Sequence, residues 1–193
     1  MMTQNTIKRA SLHTLGCRLN NSETEVIRRQ LLKQNYEIVP FGEDAELGII
    51  NTCTVTANAD SKCRNTIRSF VRKNPHAFTA VIGCYSQMGY QAISEIDGVD
   101  LIIGNQEKMN VLNYVQLGKN KNPVIVKDRI LKDDFTIDFA DELNLQKRAN
   151  LKIQDGCSFM CSFCIIPFAR GRARSRQLEN LLSEARSLVE SGA

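Results

Sequence analysis

Short apolar runs alternate with amphipathic stretches along residues 10–117. The runs have the pattern of buried strands and lie at residues 10–16, 37–40, 47–51, 78–83 and 100–104. The stretches between them have the pattern of helices and lie at residues 22–35, 58–73, 87–96 and 107–117. Strands that alternate with helices predict an α/β fold, in which a parallel sheet is covered by helices on both faces.

The two longer predicted helices carry further signals. Ser22 followed by Glu25 is a capping-box pattern, which predicts a helix start at Ser22, and Asn35 fits its left-handed stop. The apolar face of the second helix includes Cys63, which we interpret as part of the core, with an accessory ligand or redox thiol as the alternative. Beside that face lie three arginines: Arg64, Arg68 and Arg72. We interpret them as a solvated helix face, with a contact surface as the alternative.

Three cysteines each follow a predicted strand directly: Cys17, Cys53 and Cys84. In a parallel sheet the carboxyl ends of the strands share one edge, and ligands bind there. We therefore expect the three thiols to converge and to hold an iron–sulfur cluster with one open side. The alternative is three unrelated core cysteines, since free cysteine is often buried.

A second group of thiols has the spacing C-x-x-x-C-x-x-C and consists of Cys157, Cys161 and Cys164. Thiolates are soft ligands, and three of them bind three irons of a four-iron cluster while the fourth iron stays open to a small molecule. A zinc site completed by another residue is the alternative. Both histidines, His13 and His76, lie far upstream of this loop.

The strand–helix pattern divides the chain into three parts. They are a parallel-sheet domain at residues 8–117, a linker at residues 118–148 and a second unit at residues 149–193. We expect one edge strand within the linker, at residues 124–126. The second unit is expected to begin with a strand at residues 150–154, followed by the second cysteine loop and a helix capped by Ser175.

Composition bears on the compartment and on the partner. Residues 1–9 are polar and lack the apolar run of a secretory signal, and no stretch reaches the roughly 18 apolar residues of a membrane span. Seven cysteines without an export signal indicate reduced thiols, so we predict a cytoplasmic protein without membrane contact. Between residues 147 and 176 seven basic residues stand against one acid, Asp155, which indicates an anionic partner.

Four stretches of the chain resemble the radical S-adenosylmethionine (radical-SAM) methylthiotransferases. They are Thr-Leu-Gly-Cys-Arg-Leu-Asn at residues 14–20 with Glu-Thr-Glu at 23–25, Asn-Thr-Cys-Thr-Val-Thr at 51–56 with Ala-Asp-Ser-Lys-Cys-Arg at 59–64, Gly-Cys-Tyr-Ser-Gln at 83–87, and the loop from Cys157 through Arg176. The resemblance extends over residues 10–193. It is greatest to the branch that modifies threonylcarbamoyl-adenosine in tRNA. Arg18, Leu19 and Ser22 depart from that branch, where lysine, valine and an aromatic residue are expected.

The resemblance implies a tRNA-modifying transferase with two four-iron clusters and S-adenosylmethionine (SAM). Cys157, Cys161 and Cys164 would hold the cluster that binds and reductively cleaves SAM, and Phe163 would lie against the SAM adenine. The cluster on Cys17, Cys53 and Cys84 would carry the sulfur. The product would be a methylthio group on C2 of N6-threonylcarbamoyladenosine next to the anticodon. An electron donor such as flavodoxin or ferredoxin and a sulfur donor are further implied partners.

Other functions fit parts of the same sequence. Within the family, the alternative substrate is N6-isopentenyladenosine in tRNA. Outside it, the chain could be an RNA-binding module stabilised by zinc or an iron–sulfur cluster, or an electron-transfer protein. A few phenylalanines and no tryptophan near the basic segment argue against base-stacking recognition.

By the same resemblance, residues 149–193 begin a radical-SAM partial (β/α) barrel. Such a barrel needs several strand–helix units, so we expect the 193 residues to be an incomplete enzyme that is inactive alone. Four arginines follow the second cysteine loop: Arg170, Arg172, Arg174 and Arg176. We expect several of them to contact tRNA phosphates; solvated charges, or one pair with the SAM carboxylate, are the alternatives.

Overall fold

A six-stranded, fully parallel sheet forms the body of the protein. The computed structural model describes residues 8–115, 119–137, 139 and 150–192. The strands of this sheet are β1 (Lys8–Thr14), β2 (Tyr36–Val39), β3 (Leu47–Thr52), β4 (Phe78–Gly83), β5 (Leu101–Ile103) and β6 (Val124–Val126). Their order across the sheet is β2-β1-β3-β4-β5-β6, and every neighbouring pair is parallel. The predicted α/β class with a parallel sheet is therefore confirmed.

Helices cover both faces of the sheet, and a short second sheet follows it. The helices are α1 (Arg18–Lys33), α2 (Ala57–Lys73), α3 (Cys84–Met88), α4 (Tyr90–Ser94), a 3₁₀ helix (Lys108–Asn113), α5 (Ile166–Arg170) and α6 (Leu178–Glu190). The second sheet pairs β7 (Gln154–Asp155) with β8 (Arg174–Ser175) in antiparallel fashion. None of the described helices combines the length and the apolar character that a membrane crossing needs.

The two central strands are buried along their whole length. All six residues of β3 and all six of β4 are buried, as expected for parallel strands with helices on both sides. Their side chains alternate between two apolar clusters. One cluster, around Ile50 and Val81, packs under α2, and the other, around Ile49 and Ile82, packs under α1. The continuous apolar runs of the sequence thus supply both faces of the core.

Helix α1 starts earlier than the sequence predicts. Its first residue is Arg18, and Cys17 occupies the N-cap position with an extended backbone. Ser22 therefore lies inside the helix, where its hydroxyl donates to the carbonyl of Leu19 at 2.8 Å. The left-handed stop is confirmed, because Asn35 has a φ of 61°.

Helix α2 agrees closely with its predicted span. Thr56 caps its amino terminus by accepting a hydrogen bond from the amide of Ala59 at 3.1 Å. Cys63, Ile67 and Phe70 repeat at helical spacing on its buried face, so the thiol of Cys63 lies in the core as expected.

The remaining elements of the sheet domain differ in detail from the sequence pattern. The helix expected at residues 87–96 is instead the pair α3 and α4, divided at Gly89, and the helix expected at residues 107–117 is a shorter 3₁₀ helix. The edge strand at residues 124–126 is confirmed. Because it pairs with β5, the sheet extends beyond the expected boundary at residue 117.

Residues 150–192 pack against the sheet domain. The strand expected at residues 150–154 is reduced to β7, two residues long and antiparallel to β8. Helix α6 begins after Gln177 instead of being capped by Ser175. It is joined to α1 by a buried ion pair of 2.8 Å between Arg29 and Glu184. Residues 118, 138 and 140–148 of the predicted linker lie outside the described residues.

Candidate metal centres

The three strand-end cysteines lie at the same edge of the sheet. Cys17 follows β1, Cys53 follows β3 and Cys84 follows β4, and these three strands are direct neighbours in the order β1-β3-β4. Cys53 and Cys84 are buried, whereas Cys17 is exposed. All three are free thiols. The convergence that the sequence predicts is therefore present in the fold.

Two glycines allow the strand ends to come this close. Gly16 and Gly83 stand directly before Cys17 and Cys84, and both have a positive φ, +105° and +101°. A Cβ added at Gly16 would lie 2.6 Å from the Cβ and 2.8 Å from the Sγ of Cys53. A side chain at Gly16 would thus displace one thiol of the group, and its backbone conformation strongly favours glycine.

The thiols influence one another electrostatically. Burial raises the pKa of the Cys53 thiol, and its neighbours Cys84 and Cys17 raise the pKa further, while the amides of Val55 and Thr54 oppose this by hydrogen bonding to the sulfur. Mutual repulsion of this kind disfavours three thiolates at one place without a cation between them. The donor set therefore fits a positively charged iron core that takes one thiolate at each of three irons.

Cys63 lies behind this group and does not join it. Burial raises its pKa to about 11, and its thiol donates to the carbonyl oxygen of Cys53 at 3.2 Å. The hydrogen bond directs this sulfur at the backbone of Cys53, within the apolar cluster of the core.

Buried polar atoms without a protein partner surround Cys84. Among the described residues, the Oδ1 of Asn105 and the Oγ of Ser86 are buried and accept or donate no hydrogen bond. Asn105 also points its Nδ2 at the Sγ of Cys84, at 3.5 Å. Asn105 lies in the turn after β5 and belongs to no motif, so sequence reasoning had no signal for it.

The second cysteine group lies on an open loop between β7 and α5. Cys161 is exposed and Cys157 and Cys164 are half-buried, with the amide of Cys164 donating to the carbonyl of Cys161 at 3.0 Å. The ring of Phe163 is 91% exposed and that of Phe159 is 88% exposed. The thiols of this loop and the ring of Phe163 are therefore accessible from solvent. A site that binds a cluster and a small molecule needs this accessibility.

Within the part of the chain that the structure describes, no three His, Cys, Asp or Glu side chains are arranged to hold a single metal ion. A four-iron cluster makes a different demand, because each thiolate meets its own iron.

The structure separates the four arginines that follow the second loop. Arg172 is exposed, whereas the other three are buried: Arg170, Arg174 and Arg176. Arg176 pairs with Glu184 of α6, and Arg174 lies 3.7 Å from a carboxylate oxygen of Asp155. The three buried guanidinium groups are engaged inside the protein, so of the four arginines only Arg172 is exposed to an external phosphate.

A buried cluster of charges lies between the two cysteine groups. Its centre is Glu23 of α1, which is fully buried and pairs with the side chains of Lys108, Lys152 and Arg170. Its second carboxylate is Asp155, at 2.6 Å from Lys152 and 2.8 Å from Arg170. We call this set of five residues the charge cluster.

The charge cluster is not predicted from the sequence. Glu25, two residues after Glu23, fits a capping box, and the excess of basic residues indicates an external partner. One signal was present: Asn20 and Glu23 stand three residues apart, directly after the first cysteine, and so face the same side of α1.

The family described as "Uncharacterized protein family UPF0004" matches residues 9–104. Threonylcarbamoyladenosine tRNA methylthiotransferase MtaB of Bacillus subtilis is 40% identical over 188 residues, which are 94% of this chain and 41% of the relative. The protein of the same name from Aquifex aeolicus is 34% identical, over 95% of this chain and 45% of the relative.

A relative with another substrate in its name is also similar. The tRNA-2-methylthio-N(6)-dimethylallyladenosine synthase of Clostridium botulinum is 31% identical over 97% of this chain and 43% of its own length. The chain therefore spans less than half the length of these curated relatives.

Proposed function

Because the chain belongs to the methylthiotransferase family, we propose that the whole protein adds a methylthio group to an adenosine of tRNA. The adenosine is N6-threonylcarbamoyladenosine next to the anticodon. This choice is supported by the names of the relatives from Bacillus and Aquifex, which are more similar to the chain than the Clostridium synthase is.

One observation carries the proposal: two groups of three free thiols lie on either side of the charge cluster. The first group, Cys17, Cys53 and Cys84, is built into the sheet edge, and the second lies on an open loop held against that edge. A reaction that takes sulfur from one centre and a radical from another needs two centres in one protein. An electron-transfer protein or a zinc-stabilised module has no use for two open-sided groups.

The residues present fit the following roles. Cys17, Cys53 and Cys84 hold one four-iron cluster, and Cys157, Cys161 and Cys164 hold the other, each with three thiolates. When bound, the two clusters and SAM supply the radical and sulfur chemistry, and the protein supplies binding and orientation. The exposed ring of Phe163 offers a flat apolar face to the SAM adenine. Residues 149–193 begin the radical-SAM partial barrel.

The partners follow from the same proposal. tRNA is the substrate and contacts Arg172 through a phosphate. A flavodoxin or ferredoxin supplies electrons and a separate donor replaces the sulfur. These partners and the reduced thiols agree with a cytoplasmic site of action.

The test is mass spectrometry of tRNA nucleosides from cells that lack the whole gene product. We expect loss of 2-methylthio-N6-threonylcarbamoyladenosine, with its precursor N6-threonylcarbamoyladenosine accumulating. The wild-type gene is expected to restore the product, and a variant with Cys17, Cys53 and Cys84 replaced by alanine is not. Unchanged tRNA nucleosides would refute the proposal.

The second candidate differs only in substrate. The Clostridium relatives are named for the dimethylallyladenosine product. Loss of 2-methylthio-N6-isopentenyladenosine in the same experiment, with the threonylcarbamoyl product retained, would establish that substrate instead.

A further inference from the structure

Asn20 connects two of the strand ends with the second cysteine loop. Its Nδ2 donates to the carbonyls of Leu15, at 2.8 Å, and Thr52, at 3.0 Å, which lie two residues before Cys17 and one before Cys53. Its Oδ1 accepts from Nη2 of Arg170 at 2.5 Å. A single buried amide therefore fixes Arg170 against the backbone that carries two of the three thiols.

Asn105 makes the equivalent connection at the third strand end. Its Nδ2 lies 3.5 Å from the Sγ of Cys84 and donates to the carbonyl of Ala169 at 2.6 Å. Ala169 and Arg170 are adjacent, and both are buried. This one dipeptide is thus linked, through Asn20 and Asn105, to the ends of all three cysteine-bearing strands.

The same dipeptide also closes the base of the second cysteine loop. Nη1 of Arg170 donates to Oδ1 of Asp155 at 2.8 Å, and Asp155 lies two residues before Cys157. The amide of Cys157 donates to the carbonyl of Gly171 at 3.1 Å. The first residues of the loop are therefore hydrogen-bonded to Arg170 and Gly171, which follow its last cysteine.

The chemistry of the arginine side chain suits this position. Its two Nη atoms reach four acceptor oxygens on two elements. On α1 they are both carboxylate oxygens of Glu23, at 3.1 and 3.3 Å, and the amide oxygen of Asn20; on β7 it is Oδ1 of Asp155. A lysine at this position would keep the charge but has a single nitrogen and no planar fork, so it cannot hold several acceptors at fixed angles.

We propose that Arg170 is a positioning residue that holds the second cysteine loop at a fixed separation and orientation from the three strand-end thiols. Asn20 and Asn105 transmit this position to the strand ends, and Glu23 holds the guanidinium between them. The inference rests on the proposed function in one respect, that each group of thiols carries an iron–sulfur cluster. The contacts themselves involve protein atoms only.

The test compares Arg170→Lys with Arg172→Lys in the whole reconstituted protein. Arg172 is the matched control, because it lies two residues away, is exposed and undergoes the same chemical change. The readout is the magnetic interaction between the two reduced clusters, measured by electron paramagnetic resonance. Variants that keep only one cluster give the reference spectra, in which this interaction is absent.

We expect wild type and Arg172→Lys to show one well-defined interaction. Arg170→Lys is expected to retain both clusters by iron analysis while the interaction weakens or spreads over a range of distances. Asn20→Ala leaves the Arg170–Asp155 pair in place. This variant is also expected to spread the magnetic interaction over a range of distances. It provides the test if Arg170→Lys does not fold. An interaction that is unchanged in both variants would overturn the inference and leave the proposed function intact.

Hydrogen exchange distinguishes failure of this inference from failure of the proposed function. If wild type formed no clusters, the proposed function would fail, and exchange in the metal-free whole protein would still test the contacts. Loss of the charged hydrogen bonds is expected to raise amide exchange at residues 157–171 by about tenfold or more in Arg170→Lys. Equal exchange in Arg170→Lys and Arg172→Lys would overturn the positioning role.

Discussion

Replacing Glu23 by glutamine tests the charge cluster. The substitution keeps the size of the side chain and removes its charge, so that Lys108, Lys152 and Arg170 are left with one buried carboxylate, that of Asp155. Removing one partner of a buried, hydrogen-bonded ion pair costs about 3–5 kcal/mol, because the other charges stay buried. We expect the free energy of unfolding to fall by an amount in that range.

The matched control is Glu25→Gln on the same helix. Glu25 pairs with Arg28 at 2.7 Å, and its side chain is 39% exposed. An exposed pair of this kind contributes about 0.2–1 kcal/mol. The two substitutions change the same atoms two residues apart, so the difference between them isolates the effect of burial.

The dependence on pH gives a second measurement. Burial alone would raise the pKa of Glu23, but the charges of Lys108, Lys152 and Arg170 outweigh it and hold the pKa well below its usual value of 4.5. A carboxyl whose pKa is lowered by folding stabilises the protein above its unfolded-state pKa, and this contribution is lost as the pH falls through the folded-state pKa. The difference in stability between wild type and Glu23→Gln should therefore be largest near neutral pH and shrink below pH 4.5.

Urea unfolding of the metal-free whole protein, followed by circular dichroism from pH 3 to pH 8, is the assay. Global unfolding and loss of the contact with residues 150–192 are distinguished by hydrogen exchange. A loss in Glu23→Gln no larger than in Glu25→Gln, or a difference that does not depend on pH, would refute this account of the charge cluster.

Three further predictions concern the thiols and the exposed arginine. Replacing Cys17, Cys53 and Cys84 by alanine together should halve the iron content of the reconstituted protein; unchanged iron would contradict the first cluster site. Gly16→Ala should reduce iron incorporation at that site, because the new Cβ would lie 2.6 Å from the Cβ of Cys53; full incorporation would show that the strand end can adjust. Arg172→Ala should weaken binding of matched and unmatched tRNAs alike and lower the log–log salt slope by about one, with SAM cleavage unaffected. An unchanged slope with impaired SAM cleavage would assign the arginine to the cofactor.

The sheet could be predicted because the sequence signals for its strands lie within short stretches of neighbouring residues. The central strands are continuous apolar runs of about the length of a strand, and each is followed by a helical pattern or a turn signal. The convergence of Cys17, Cys53 and Cys84 followed from topology alone, since parallel strands bring their carboxyl ends to one edge.

The predicted start of α1 at Ser22 is wrong, because a capping-box pattern in the sequence competes with the turn that follows β1. Ser22 and Glu25 fit a capping box, yet Cys17 takes the N-cap position and the helix already contains Ser22. The strand end fixes the direction of the chain at Gly16, and the helix begins as soon as the turn is complete.

The arginines show what a charge count omits. The excess of basic residues at 147–176 predicts an external contact surface, but Glu23 and Glu184, which pair with Arg170 and Arg176, lie outside that segment. Glu23 precedes Arg170 by 147 residues, and Glu184 follows Arg176 by eight. A single sequence does not show which acid pairs with which arginine. Buried and exposed arginines therefore cannot be told apart until the fold is known.

The long separations within the charge cluster have a consequence for the nascent protein. Lys108, Lys152 and Arg170 follow Glu23 by 85, 129 and 147 residues. Since domains fold in order as they leave the ribosome, the sheet with its three thiols is assembled before the segment that later covers Glu23 has been translated. During that interval the cysteine-bearing edge is open on the side where Arg170 will lie. Under the proposed function, iron and sulfide would thus reach the first site before the second loop closes over it.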